Sequence, residues 1–109
     1  MTNSIKVIVV DDEIIAREIM EVYISKMPNL ELCGSFSNGV EAISYTKQHQ
    51  VDLVLLDINM PELDGFSVLD FLSKKSKIIF TTAHREYALK GFEVNALDYL
   101  LKPISFERF

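Results

Sequence analysis

Four short apolar runs, each ending in a polar or charged group, set the rhythm of this chain. Ile5–Val10 runs into Asp11 and Asp12, Asp52–Leu56 into Asp57, Lys77–Thr81 into Thr82, and Leu97–Leu101 into Lys102 and Pro103. Leu53 to Leu56 is apolar at every position, which a strand permits only when both faces of its sheet are covered. Asp57 is therefore expected at the end of a buried central strand. Pro61 has no amide hydrogen and biases Met60 away from helical angles, so Ile58 to Asp64 reads as a loop that a ligand can reach.

The stretches between these runs have helical spacing. A helix is predicted over Glu13–Met27, capped by Asp12, with Ile15, Ile19, Val22 and Tyr23 as its inward stripe. Leu30–Phe36 reads as a strand at a sheet edge, because Glu31, Gly34 and Ser35 interrupt its apolar character. Ser37-Asn38-Gly39 is a turn into a helix over Val40–His49, with Ala42, Ile43 and Thr46 inward. Further helices are predicted over Phe66–Lys74, buried through Val68, Leu69 and Leu72, and over Glu86–Val94. Gly91 weakens the latter by about 1 kcal/mol relative to Ala, which makes it the segment expected to move most. Ser105 reads as the cap of a last helix that Phe106–Phe109 barely begins.

Strands alternating with helices predict an α/β fold, a doubly wound five-stranded parallel sheet with its last helix truncated. One sheet face is then thinly covered, which suggests a piece of something longer. Ligands of open α/β sheets lie beyond the carboxyl ends of the strands. Three acids, a hydroxyl and an amine are expected to converge there.

Composition narrows the picture only slightly. A chain of 109 residues, 49% hydrophobic and 25% charged, has the make-up of one ordinary globular domain. No apolar run approaches the roughly 20 residues of a membrane helix and no leader is evident, so a cytoplasmic location is expected. The single Cys33 has no internal disulfide partner and reads as a small buried strand residue. A net charge of −5 opposes attraction to a nucleic acid backbone, so DNA binding would have to come from another domain. Part of that charge is concentrated in Asp11, Asp12, Glu13 and Asp57.

The Asp11-Asp12 pair, Asp57 followed by Met60-Pro61 and Asp64-Gly65, Thr82-Ala83, and Lys102-Pro103 together resemble the receiver domain of bacterial two-component response regulators. The resemblance spans the whole chain up to its shortened last helix, and it implies a flavodoxin-like sheet of order 2-1-3-4-5. Ile78–His84 and Glu86–Pro103 look more narrowly like receivers of the LytTR class, in which a DNA-binding output domain follows, so such a domain is expected to lie outside these residues.

That resemblance implies the site residues. Asp57 would be the phosphoacceptor, supplied by a sensor histidine kinase or a small phosphodonor. Mg2+ would be held by Asp12 and Asp57 directly, by Asp11 through water, and by the main-chain carbonyl of Asn59. Independently, three convergent acids raise one another's pKa values unless a hard cation offsets them, and magnesium favours oxygen ligands. Lys102 would pair with the phosphoryl group, turned inward by a cis bond to Pro103, and Thr82 would donate its hydroxyl, with Thr81 facing the other way into the core. Tyr99 would be the aromatic switch that turns inward as Thr82 moves. Its alternative is a ring partly covering the sheet. His84 reads either as a modulator of water access or, like His49, as a solvated loop histidine.

Such a domain would be a signalling switch that assists its own phosphorylation and dephosphorylation, not an enzyme acting on others. Ala88, Leu89, Phe92 and Val94 offer a possible homodimer face beside the fifth strand, with core packing as the alternative. Three rivals share the architecture. A phosphatase resembling haloacid dehalogenases wants an acid where Asn59 stands. A flavin module wants a phosphate loop where Asp11-Asp12 would repel phosphate. A receiver reduced to a docking surface would not need every chemical position filled.

Overall fold

The computed structural model describes residues 4–58, 60, 76–82 and 98–102, with the side chains of 98, 99 and 101 outside the description. In chain order the elements are β1 (Ile5–Val10), α1 (Ile14–Ser25), β2 (Leu30–Phe36), α2 (Gly39–Gln48), β3 (Leu53–Asp57), β4 (Lys77–Thr82) and β5 (Asp98–Leu101). The strands form one parallel sheet in the order β2-β1-β3-β4-β5. Strand β1 lies between β2 and β3, so the order of strands reverses direction there, and it is beyond the carboxyl ends of the strands at such a point that open α/β sheets bind ligands.

Register decides what meets at that rim. Val10 pairs with Leu56, so Asp11 and Asp57 follow side by side. Asp57 pairs with Thr81, and Thr82 pairs with Leu101, which brings Lys102 to the same rim. The amide of Lys102 donates to the carbonyl of Thr82 at 2.7 Å, tying the end of β5 to the end of β4.

Alternation along the strands divides the core in two. Ile8, Val10, Val54, Leu56, Ile78 and Phe80 pack with Ala42 of α2 on one face, while Val7, Val9, Leu55 and Leu100 pack with Met20 and Ile24 of α1 on the other. At roughly 1.5–3 kcal/mol for each large side chain fully removed from water, this two-sided burial fixes the sheet and hence the rim. Thr82 shares the parity of Phe80 and Thr81 that of Ile79, so the two threonines point to opposite faces. Both are buried.

Helix α2 begins as its sequence requires, with the Asn38 side chain accepting the amide hydrogen of Glu41 at 2.9 Å. Helix α1 departs from expectation twice. Its N-cap is Glu13, not Asp12, and no side chain caps it. Asp11 lies close by and its Oδ1 accepts the Glu13 amide hydrogen at 2.9 Å, which leaves Asp12 exposed at the rim.

The second departure is the buried face. Met20 and Ile24 point inward and Tyr23 is half-buried against them as expected, whereas Ile15, Ile19 and Val22 are exposed and, with Glu18 and the edge of Tyr23, line an open hollow of about 250 Å³. Both sets have helical spacing. The helix is apolar around more than one face, and the sheet selects the stripe that meets Val7 and Val9. Cys33 is half-buried on the edge strand β2. No described helix is long and apolar enough to cross a membrane. The helices predicted over Phe66–Lys74, Glu86–Val94 and from Ser105, together with Asn59, His84, Pro103 and the Ala88, Leu89, Phe92 and Val94 face, lie outside the described residues.

Candidate functional site

Three loops feed the rim. Asp11 and Asp12 follow β1, Asp57 closes β3, and Lys102 follows β5. One carboxylate oxygen from each of Asp11, Asp12 and Asp57 falls within 4.8 Å of the others. Asp11 and Asp57 are each 2% exposed, so these charges are not dispersed into water.

Lys102 is the counter-charge. Its Nζ lies 2.9 Å from Asp11 Oδ2, 2.8 Å from Glu13 Oε1 and 3.5 Å from Asp57 Oδ1. Burial alone would draw the amine's pKa down, but hydrogen bonds to Glu13 and Asp11 and the field of Asp57 outweigh it and hold the amine above its ordinary value. The hydrogen bond from Lys102 in turn lowers the Glu13 carboxyl. Asp57 moves the opposite way. Burial first, and the neighbouring Asp11 charge second, push it up from 3.8 to about 8, with Lys102 offsetting only part of this.

Asp11 has both oxygens committed, one to the Glu13 amide and one to Lys102. Its carbonyl accepts from Arg17 Nη1 at 2.8 Å, so the turn out of β1 is held from two sides. Asp57 stands differently, since its Lys102 contact is the longest of the three. A hard divalent cation suits this donor set: the ligands are all oxygen, two are buried, and their mutual repulsion is what such an ion relieves.

The structure thus brings together Asp11, Asp12, Asp57 and Lys102 as the sequence suggested, and places Thr82 one residue beyond the partner of Asp57. Asn59 lies outside the described residues, as does the side chain of Tyr99. Glu13 is the participant that the sequence did not mark. It figured only as one of several local charges, although its position two residues after Asp11 keeps it on the same turn.

Comparison with known proteins agrees with this geometry. The family model for the response regulator receiver domain matches residues 7–109. The transcriptional regulatory protein BtsR of Escherichia coli (strain K12) is 43% identical over 102 residues, covering 92% of this chain and 43% of that protein. Protein MrkE of Klebsiella pneumoniae is 38% identical over 104 residues, 93% of this chain and 39% of that protein. This chain therefore spans less than half the length of these curated relatives. The crystal structure of the response regulatory domain of MrkE superposes with a TM-score of 0.85 at 37% identity, covering 94% of this chain and 87% of that one. The REC domain of AraT, a response regulator from Geobacillus stearothermophilus, gives 0.83 at 32% identity over 94% of this chain and 84% of that one. With Asp11, Asp12, Asp57 and Lys102 gathered on the rim of a flavodoxin-like sheet, the chain belongs to the response regulator receiver domains, the signalling domains of two-component systems.

Proposed function

We propose that this chain is a phosphorylation-controlled switch whose phosphoacceptor is Asp57, with Mg2+ held by Asp11, Asp12 and Asp57 and by the main-chain carbonyl of Asn59. The observation that carries the reading is the meeting of three carboxylates within 4.8 Å beside one partly buried amine. Among the three acids Asp57 is the nucleophile on the resemblance of its motif to receiver domains, supported by its place at the end of the middle strand β3.

When bound, the cation supplies positive charge that keeps Asp57 ionised and screens it from the phosphoryl oxygens. The remaining chemistry falls to the chain. A carboxylate oxygen of Asp57 attacks phosphorus in line with the departing imidazole of a sensor histidine kinase, the P–N bond breaks as the P–O bond forms, and an acyl phosphate results. The Lys102 amine and the Thr82 hydroxyl donate to the phosphoryl oxygens. Thr82 moves toward them, Tyr99 turns inward behind it, and the segment from Glu86 to Val94 shifts between two populations. The same groups assist hydrolysis of the acyl phosphate, so the domain acts on itself.

In the parent protein we place residues 1–109 as the receiver and a LytTR-type DNA-binding domain after it, working in the cytoplasm as a transcriptional regulator. The run 86–103 and the relatives named as regulatory proteins support that reading. A homodimer through the Glu86–Val94 and β5 face is the output arrangement proposed. Incubation with a small phosphodonor and Mg2+ is expected to add about 80 Da, one phosphoryl group, to the chain and to add nothing to Asp57→Asn. Equal labelling of that variant would remove Asp57 from the mechanism.

A further inference from the structure

The resting contacts of Lys102 contain a competition that the phosphoacceptor reading does not use. An ammonium group has three N–H donors, and here three carboxylates surround it. The two short contacts go to Asp11 and Glu13, at 2.9 and 2.8 Å, while Asp57 is left with 3.5 Å. Glu13 is well placed to hold its share. As the N-cap of α1 its amide is fixed by Asp11 Oδ1, and its carbonyl accepts the Arg17 amide at 3.0 Å. Its carboxylate is nonetheless 64% exposed, against 3% for the side chains of Asp11 and Asp57. Of the three partners it is therefore the one that water can replace at least cost.

We propose that Glu13 is a positioning residue that holds the Lys102 amine off Asp57 in the resting state and is the partner the amine surrenders when a phosphoryl group arrives. The inference rests on Asp57 being the phosphoacceptor. With acetyl phosphate as donor, a carboxylate oxygen of Asp57 bonds to phosphorus as the bond from phosphorus to the acetate oxygen breaks. Acetate leaves with the electron pair, and no proton moves. The incoming phosphoryl oxygens need the donor that Glu13 occupies. The residue thus restrains phosphorylation, and the restraint acts through Lys102.

The test compares phosphorylation rates with acetyl phosphate at saturating Mg2+ for the wild-type chain, Glu13→Gln, Glu13→Asp, Lys102→Ala and Glu13→Gln/Lys102→Ala. Breaking one largely exposed ion pair is expected to speed Glu13→Gln by about 2- to 5-fold. Glu13→Asp is one methylene shorter, withdraws the contact while keeping the charge and a good helix start, and should change in the same direction. The gain should shrink toward unity near 1 M salt, where the Debye length is about 3 Å. It should vanish in the Lys102→Ala background, which a merely structural role for Glu13 would not produce. Wild-type rates in both Glu13 variants, or an undiminished gain without Lys102, would overturn the proposal alone. No labelling of the wild-type chain would remove the phosphoacceptor reading together with it.

Discussion

Replacing Asp57 by Asn should make the metal-free protein more stable, and increasingly so as pH rises. The folded chain raises the Asp57 carboxyl from 3.8 to about 8, chiefly by burial and by the charge of Asp11. Folded protein therefore binds more protons than unfolded protein between these values, and stability must fall with pH across that window. Below about pH 4 the group is protonated in both states and costs nothing. Above about pH 8 the whole penalty is present. At about 1.36 kcal/mol per pKa unit the ceiling is roughly 4 kcal/mol at pH 7.

Two effects reduce it. Asn forfeits the attraction between Asp57 and Lys102 at 3.5 Å, and the rim relaxes around a charged group. A net gain of about 1–3 kcal/mol is expected for Asp57→Asn near pH 8, or on the order of 5–15 °C in Tm for a domain of this size. Thermal and urea unfolding in the presence of a chelator at pH 4.5, 6.5 and 8.5 would measure it. A variant no more stable than wild type at pH 8.5, or a gain equal at all three values, would refute the account of strain among the acids.

Mg2+ at 100 times its dissociation constant should stabilise the wild-type chain by about 2.7 kcal/mol, with most of this lost in Asp12→Ala, as read from Tm with and without the ion. Equal stabilisation of both proteins would place the ion elsewhere. Asn38→Ala should cost about 1 kcal/mol in urea unfolding, because the Glu41 amide loses its cap. Phe80→Ala should cost about 3–5 kcal/mol, since its ring is fully buried beneath the rim. A loss under 1 kcal/mol would contradict that packing.

The site was easier to read in the sequence than some of its supports. Apolar runs at Ile5–Val10 and around Leu55 can only be buried strands, and strands in a parallel sheet deliver their next residues to one rim, so Asp11, Asp57 and Lys102 were legible as a group. The start of α1 was not. Asp12 and Glu13 are both adjacent to the first turn, and only the path of the chain shows that Asp11 turns back to bind the Glu13 amide while Asp12 stays at the rim. The inward face of α1 was equally ambiguous, because Ile15 and Ile19 compete with Met20 and Ile24 for the core at the same spacing. Periodicity fixes that a stripe exists but not which of two stripes the sheet accepts. Glu13 was invisible as a partner of Lys102 because the two are 89 residues apart and meet only through the order of strands.

Which carboxylate takes the phosphoryl group can be read directly. The chain is phosphorylated with acetyl phosphate and Mg2+, reduced with borohydride so that any acyl phosphate becomes homoserine, and sequenced by tandem mass spectrometry. Homoserine at position 57, with aspartate intact at 11 and 12, is the result expected here. Homoserine at 11 or 12, or unreduced aspartate at all three positions in protein that carries phosphate, would contradict it.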